Sequence, residues 1–161
     1  MQLFSGRGRV ARLAAVFALV LVAAACAKKD VVPAAGTVTP GSPQDFVVNV
    51  GDRVYFTEDS SEINAQSGAI LDRQAQWLTQ YNRYTATVEG HADERGTREY
   101  NLALGARRAN STRAYLVSRG INPARLRVIS YGKERPVAVC DNESCWTQNR
   151  RAVTVLNAAG S

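Results

Sequence analysis

Histidine, methionine and cysteine are scarce in this chain: 161 residues contain one His, one Met and three Cys. A zinc site takes three or four clustered ligands, and His91 has no Cys/His cluster around it. His91-Ala92-Asp93 alone makes neither a metal centre nor an acid–base pair, so no metal and no cofactor are expected. Ser60, Ser61 and Ser130 have no base arranged near them, which removes nucleophilic catalysis. Long apolar runs are lacking too. The uncharged stretch from Leu13 to Ala25 has 13 residues, short of the roughly 20 that span a bilayer as a helix. No acid precedes Asp30.

Three arginines (Arg7, Arg9, Arg12) lead into that apolar run, which ends in Ala23-Ala24-Ala25 before Cys26. This is the layout of a secretory signal peptide, residues 1–25. Without those three arginines the 20 basic residues fall to 17 against 14 acidic, so the formal charge drops from +6 to +3. A surplus that small, with no dense Lys/Arg stripe, gives no reason to expect nucleic-acid binding. Ala23-Ala24-Ala25-Cys26 resembles a bacterial lipobox, although Ala23 stands where leucine is commonest. The resemblance implies acylation of Cys26, with two or more chains anchoring stably in a membrane. Ala27, in place of aspartate, implies export to the outer membrane with the rest of the chain facing the periplasm. That compartment permits disulfides.

Residues 26–43 read as the acylated cysteine and a flexible tether, rich in Ala, Gly, Thr, Ser and Pro with no apolar periodicity. Residues 27–43 would reach ~55 Å extended and roughly 23 Å as a coil. The folded domain is placed at 44–161. Its first segment, Asp45-Phe46-Val47-Val48, fits a helical turn or an edge strand. Gly51 to Phe56 reads as a strand. Asn64 is a candidate N-cap for a helix with Ile70, Leu71, Trp77, Leu78 and Tyr81 on one face. Thr85 to His91 alternates as a strand. A second helix runs from Thr97 to Arg119 and stops at Gly120; Leu102, Gly105, Ala106, Ala109 and Leu116 form its expected core stripe. Leu126–Tyr131 and Arg151–Leu156 supply two more strands. The order β-α-β-α-β-β indicates an α+β two-layer sandwich, with two helices on one face of a mixed sheet.

Cys140 and Cys145, separated by four residues rich in Asp, Asn and Ser, read as a disulfide worth about 2 kcal/mol in the chain-entropy model. A zinc or redox role lacks further ligands and the CxxC spacing. Arg150 and Arg151 precede the last strand and fit either a ligand contact or plain outward alternation.

Val88 to Asn110, VEGHADERGTREYNLALGARRAN, strongly resembles the OmpA-like peptidoglycan-binding domain. Val54-Tyr55-Phe56, Ser130 to Pro136 and Asn149 to Val153 match it as well, so the resemblance covers Gly51 to Leu156. Within that family the chain looks like the lipid-anchored outer-membrane members that serve the Tol system. The resemblance implies a peptidoglycan partner, recognised at the diaminopimelate of its peptide stem, and a periplasmic β-propeller protein of the Tol system as a second. It implies a link between outer membrane and wall that supports envelope integrity and constriction at division. A zwitterionic end is best read by a carboxylate facing its ammonium and a guanidinium forked onto its carboxylate; the resemblance gives these roles to Asp93 and Arg108. Asn101, Leu104 and Arg108 are spaced i, i+3, i+7, a stripe beside the core stripe. Asp59, Arg95, Thr97, Asn101 and Leu104 complete the implied pocket. One departure is Glu58-Asp59, where family members carry an aromatic before the aspartate. Two other functions weigh less. A wall-cleaving enzyme lacks its catalytic groups, and a flagellar stator with this domain needs a true transmembrane helix.

Overall fold

The structure, a computed structural model, describes residues 38–157. The expected signal peptide, Cys26 and the first part of the tether lie outside the described residues. The elements are α1 (Pro43–Asp45), running on as a π-helical turn over Phe46–Gly51, β1 (Arg53–Tyr55), α2 (Ala65–Gln80), β2 (Thr85–His91), α3 (Arg98–Ser118), a 3-10 turn (Pro123–Arg125), β3 (Leu126–Gly132), α4 (Glu143–Asn149) and β4 (Arg151–Asn157). The α+β order holds, with a mixed sheet. α4 adds a short helix to the expected string: the Asn142 side chain accepts from the Ser144 N–H, and Glu143 lies in the first turn. Both are helix-start signals that the polar composition of this segment concealed.

The sheet order is β1-β4-β2-β3. β4 lies antiparallel between β1 and β2, and β2 pairs with β3 in parallel across the α3 crossover. Ala86, Val88 and Gly90 of β2 and Ala152 and Thr154 of β4 are buried under the helices; Thr87, Glu89, Val153 and Val155 between them are half-buried or exposed, while His91 and Arg151 at the strand ends are buried. One face is therefore covered. α3 lies so close on it that a Cβ on Gly90 would collide with the Gly105 carbonyl. Phe46, Leu71, Leu78 and Leu116 are fully enclosed in the core, each contributing about 1.5–3 kcal/mol by burial. Asn64 caps α2 by accepting from the Ser67 N–H at 2.8 Å.

Two expectations need correction. Residues 38–43, read as the end of the tether, belong to the folded unit. The Gly41 N–H donates to the buried Asp45 carboxylate, and the Gly41 carbonyl accepts from Tyr84 Oη at 3.0 Å. Asp45 also accepts from Trp77 Nε1 at 2.8 Å. That bond, then those from Asn49 and Gly41, hold its carboxyl below the usual carboxylate range. The open choice at Asp45–Val48 thus resolves as helix. The second correction concerns α3. Its buried stripe is Asn101, Leu104, Gly105, Arg108, Ala109, Thr112 and Leu116, while Leu102 is exposed. Apolarity favoured Leu102, but the sheet takes the more polar stripe one position over.

A register shift between Gly90 and His91 marks a bulge at the end of β2. The ladder resumes with the Ala92 N–H donating to the Gly132 carbonyl at 2.8 Å. Such a bulge re-aims the chain leaving a strand, here into the loop 92–97 that opens α3.

Candidate binding site

Where β2 ends and α3 begins, Glu58, Asp59, Asp93, Arg95, Gly96, Tyr100, Asn101, Leu104 and Arg108 line a cavity of about 230 Å³. Six of the seven residues expected in a pocket are among them. Thr97 is not: it caps α3, its hydroxyl accepting from the Tyr100 N–H at 3.2 Å. Asn101, almost fully buried, ties the loop to the helix by donating from Nδ2 to the Arg95 carbonyl at 2.6 Å.

Arg108 forms part of the wall although it is fully buried. The stripe read as lying beside the core stripe is itself buried, and Arg108 is accommodated there because its partners are backbone carbonyls rather than a carboxylate. Nε donates to Ser60 O at 2.8 Å, Nη1 to His91 O at 2.8 Å and Nη2 to Thr57 O at 3.1 Å. The Phe56 ring lies 5.3 Å from the guanidinium. Burial pushes this guanidinium down to about 10, so it stays charged at neutral pH. Five N–H groups less three leaves two that bond no group of the protein.

Asp93 faces a different environment. Arg95 Nη2 donates to its Oδ2 at 2.7 Å and Arg150 Nη1 to the same oxygen at 3.3 Å. Oδ1 has only the Arg95 backbone N–H at 3.2 Å and Nε at 3.4 Å. Burial raises the carboxyl, but the hydrogen bonds and charge of Arg95, then Arg150, outweigh it and hold it below the usual range. Glu58, in place of the family's aromatic, accepts from Arg95 Nη1 at 2.7 Å. Asp59, in the left-handed region at φ 52°, accepts from Tyr100 Oη. The lining thus carries three carboxylates and two guanidiniums, able to meet both charges of a zwitterion.

The open choice at Arg150 and Arg151 resolves differently for the two residues. Arg150, nearly buried, reaches Asp93, Glu143 and the Phe56 carbonyl. Arg151 points the other way, to the carbonyls of Asn149 and Arg135. Arg150 is the residue that ends α4, one position before β4, and the turn of the chain there sends the two neighbouring side chains apart. His91 offers Arg108 only its backbone carbonyl. Its ring lies at the sheet's other face, 5.6 Å from that of Tyr131, and its Nδ1 has no partner. Cys140 and Cys145 are joined by a disulfide, with Cα atoms 5.7 Å apart.

The sequence profile of the OmpA family matches residues 55–152, a span that contains all of these cavity residues. The chain belongs to the OmpA family. It is 62% identical to the peptidoglycan-associated lipoprotein of Rhizobium meliloti (strain 1021), over 94% of this chain and 92% of that relative. The crystal structure of the peptidoglycan-associated lipoprotein from Burkholderia pseudomallei is similar at a TM-score of 0.68 and 39% identity. That match covers 72% of this chain and 100% of the other. The C-terminal domain of Helicobacter pylori MotB shares the OmpA-family fold at a TM-score of 0.63 and 25% identity, over 68% and 86%. The similarity to lipoproteins thus extends well outside the matched domain, toward the N-terminal part that carries Cys26.

Proposed function

We propose that this protein is a non-catalytic, lipid-anchored tether that grips peptidoglycan in the cavity between β2 and α3. The observation that supports this best is the pairing of a carboxylate wall with a buried, charged guanidinium around a space of about 230 Å³. The ligand read there is the zwitterionic end of diaminopimelate: its ammonium faces Asp93, helped by Asp59 and Glu58, and its carboxylate takes the free donors of Arg108. Asn101 and Leu104 complete the wall, while Thr97 contributes by starting the helix. Relatives named for both peptidoglycan and lipid attachment support the same assignment.

Acylated Cys26 anchors the chain in the outer membrane with the domain in the periplasm. The Tol system's β-propeller protein is its protein partner, and the link to the wall supports envelope integrity and constriction at division. The test uses purified sacculi containing diaminopimelate. The full chain, held in detergent, should sediment with them and release no soluble fragments. Failure to sediment would overturn the binding reading, and released fragments would make the protein an enzyme.

A further inference from the structure

The segment 136–149 touches the cavity only indirectly, yet it is held with unusual firmness. α4 has seven residues, and isolated helices shorter than ~12 residues are marginal in water. The Cys140–Cys145 disulfide closes its start, and Asn142 caps it. At its other end the buried Asn149 accepts from the Val137 N–H at 2.8 Å and the Ala138 N–H at 3.2 Å, and donates back to the Ala138 carbonyl at 2.8 Å.

Two side chains of this helix reach toward the cavity. The Trp146 ring lies against the Arg95 guanidinium, 4.0 Å from its central carbon, and its Nε1 donates to Glu94. Glu143 accepts from Arg150. Arg95 and Arg150 are the two cations that converge on Asp93 Oδ2. α4 therefore stands behind both cations that hold the Asp93 carboxylate, and Trp146 pins the intervening Glu94 as well.

We propose that Trp146 and Glu143, carried on the disulfide-closed helix α4, are positioning residues that set Asp93 for its ligand through Arg95 and Arg150. A guanidinium is planar, and a ring face against it fixes that plane while leaving its edge N–H groups free to donate. Arg95 then presents Nη2 to Asp93 Oδ2 in one orientation, and Arg150, held by Glu143, meets the same oxygen. Oδ1 is left with the Arg95 backbone N–H at 3.2 Å and Nε at 3.4 Å, both longer than the Nη2 bond to Oδ2, and so is the oxygen more open to a new donor. Loosening α4 lets Arg95 rotate away, which frees Asp93 to turn and weakens its charge partner. This rests on the diaminopimelate reading for its effect on binding, but its effect on Asp93 itself does not.

The charged groups facing Asp93 are Arg95 on its own loop, Arg150 before β4, Glu143 on α4, Glu58 and Asp59 after β1, and Arg108 on α3. With Arg95 and Arg150 less firmly held, the balance tips toward burial and the three acids, so the Asp93 carboxyl titrates at higher pH. The experiment follows the Asp93 carboxyl carbon by NMR through an acid titration of the ligand-free full chain in detergent. It compares the natural protein with Trp146→Leu, Trp146→Phe and the double variant Cys140→Ser/Cys145→Ser. The midpoint should rise in Trp146→Leu and in the double variant and stay in place in Trp146→Phe, which keeps a ring against Arg95. A diaminopimelate-containing muropeptide should bind about three- to tenfold more weakly to Trp146→Leu than to the natural protein. A role confined to stability would lower the melting temperature without moving the Asp93 midpoint. An unmoved midpoint in both Trp146→Leu and the double variant, each shown folded by its NMR spectrum, overturns the proposal. If the natural protein fails to bind the muropeptide, the diaminopimelate reading falls, and the titration still decides whether α4 positions Asp93.

Discussion

The two halves of α3 are equally buried and stabilised by opposite means. In the C-terminal half, Ala109 and Leu116 are fully enclosed against apolar neighbours. In the N-terminal half, Asn101 and Arg108 are buried to the same degree, but the hydrogen bonds of both side chains go to backbone: Arg95 for the amide, Ser60, His91 and Thr57 for the guanidinium. The first half holds by excluding water from apolar surface, the second by leaving no buried polar group unmatched. Only the second can present charge to a ligand. One helix thus joins a conventional core to a polar site, without a loop between them to absorb error.

Arg108→Met sharpens that contrast most. It retains volume but leaves the carbonyls of Ser60, His91 and Thr57 without a donor, each costing about 1–3 kcal/mol. Urea unfolding should show a loss of about 4 kcal/mol, along with loss of ligand binding. Leu116→Ala, at the apolar end, should cost about 3 kcal/mol through its cavity and leave ligand affinity unchanged in the folded protein. If Arg108→Met is as stable as the natural protein, those carbonyls do not depend on the guanidinium.

The apolar half was legible from residue spacing, as was α2 with its Asn64 cap. Periodicity works where apolar residues are the ones buried. It fails where burial is compensated by hydrogen bonding, and so Leu102 looked like core while the stripe of Arg108 looked like a neighbour of the core. Composition hid α4, and also hid that residues 38–43 fold, since the bonds from Gly41 to Asp45 and Tyr84 have no periodic signature. Most of the cavity's lining came instead through the family motif between Val88 and Asn110. Arg150 lay outside that stretch, within a matching block, at the end of a helix that the composition concealed.

The sheet's other face gives the next prediction. His91 is buried with an unpartnered Nδ1, and burial, then the charges of Arg151, Arg135 and Arg53, bring its pKa down from 6.5 to about 4. Between those values the unfolded chain takes up a proton that the fold refuses, so stability falls as pH drops from 6.5 toward 4 and the loss is complete below that. The full effect is about 3 kcal/mol at most. Melting temperatures across that range should show it, and His91→Gln should flatten this part of the curve. An identical slope in that variant would locate the titration elsewhere.

A smaller effect separates Thr97 from the cavity residues. Thr97→Ala removes the cap of α3 and should cost about 1 kcal/mol in thermal or urea unfolding, with ligand affinity changed less than about threefold. A loss of binding as large as that of a cavity variant would return Thr97 to the pocket itself.

Calorimetry of the full chain with two muropeptides, identical except for diaminopimelate or lysine in the stem, tests the central claim most directly. Lysine keeps an ammonium but lacks the second carboxylate, so the free donors of Arg108 lose their partner. A hydrogen bond to a charged group is worth about 1.5–3 kcal/mol, so the lysine fragment should bind roughly one to two orders of magnitude more weakly. Equal affinity for the two would contradict the reading of this cavity as a receptor for a zwitterion.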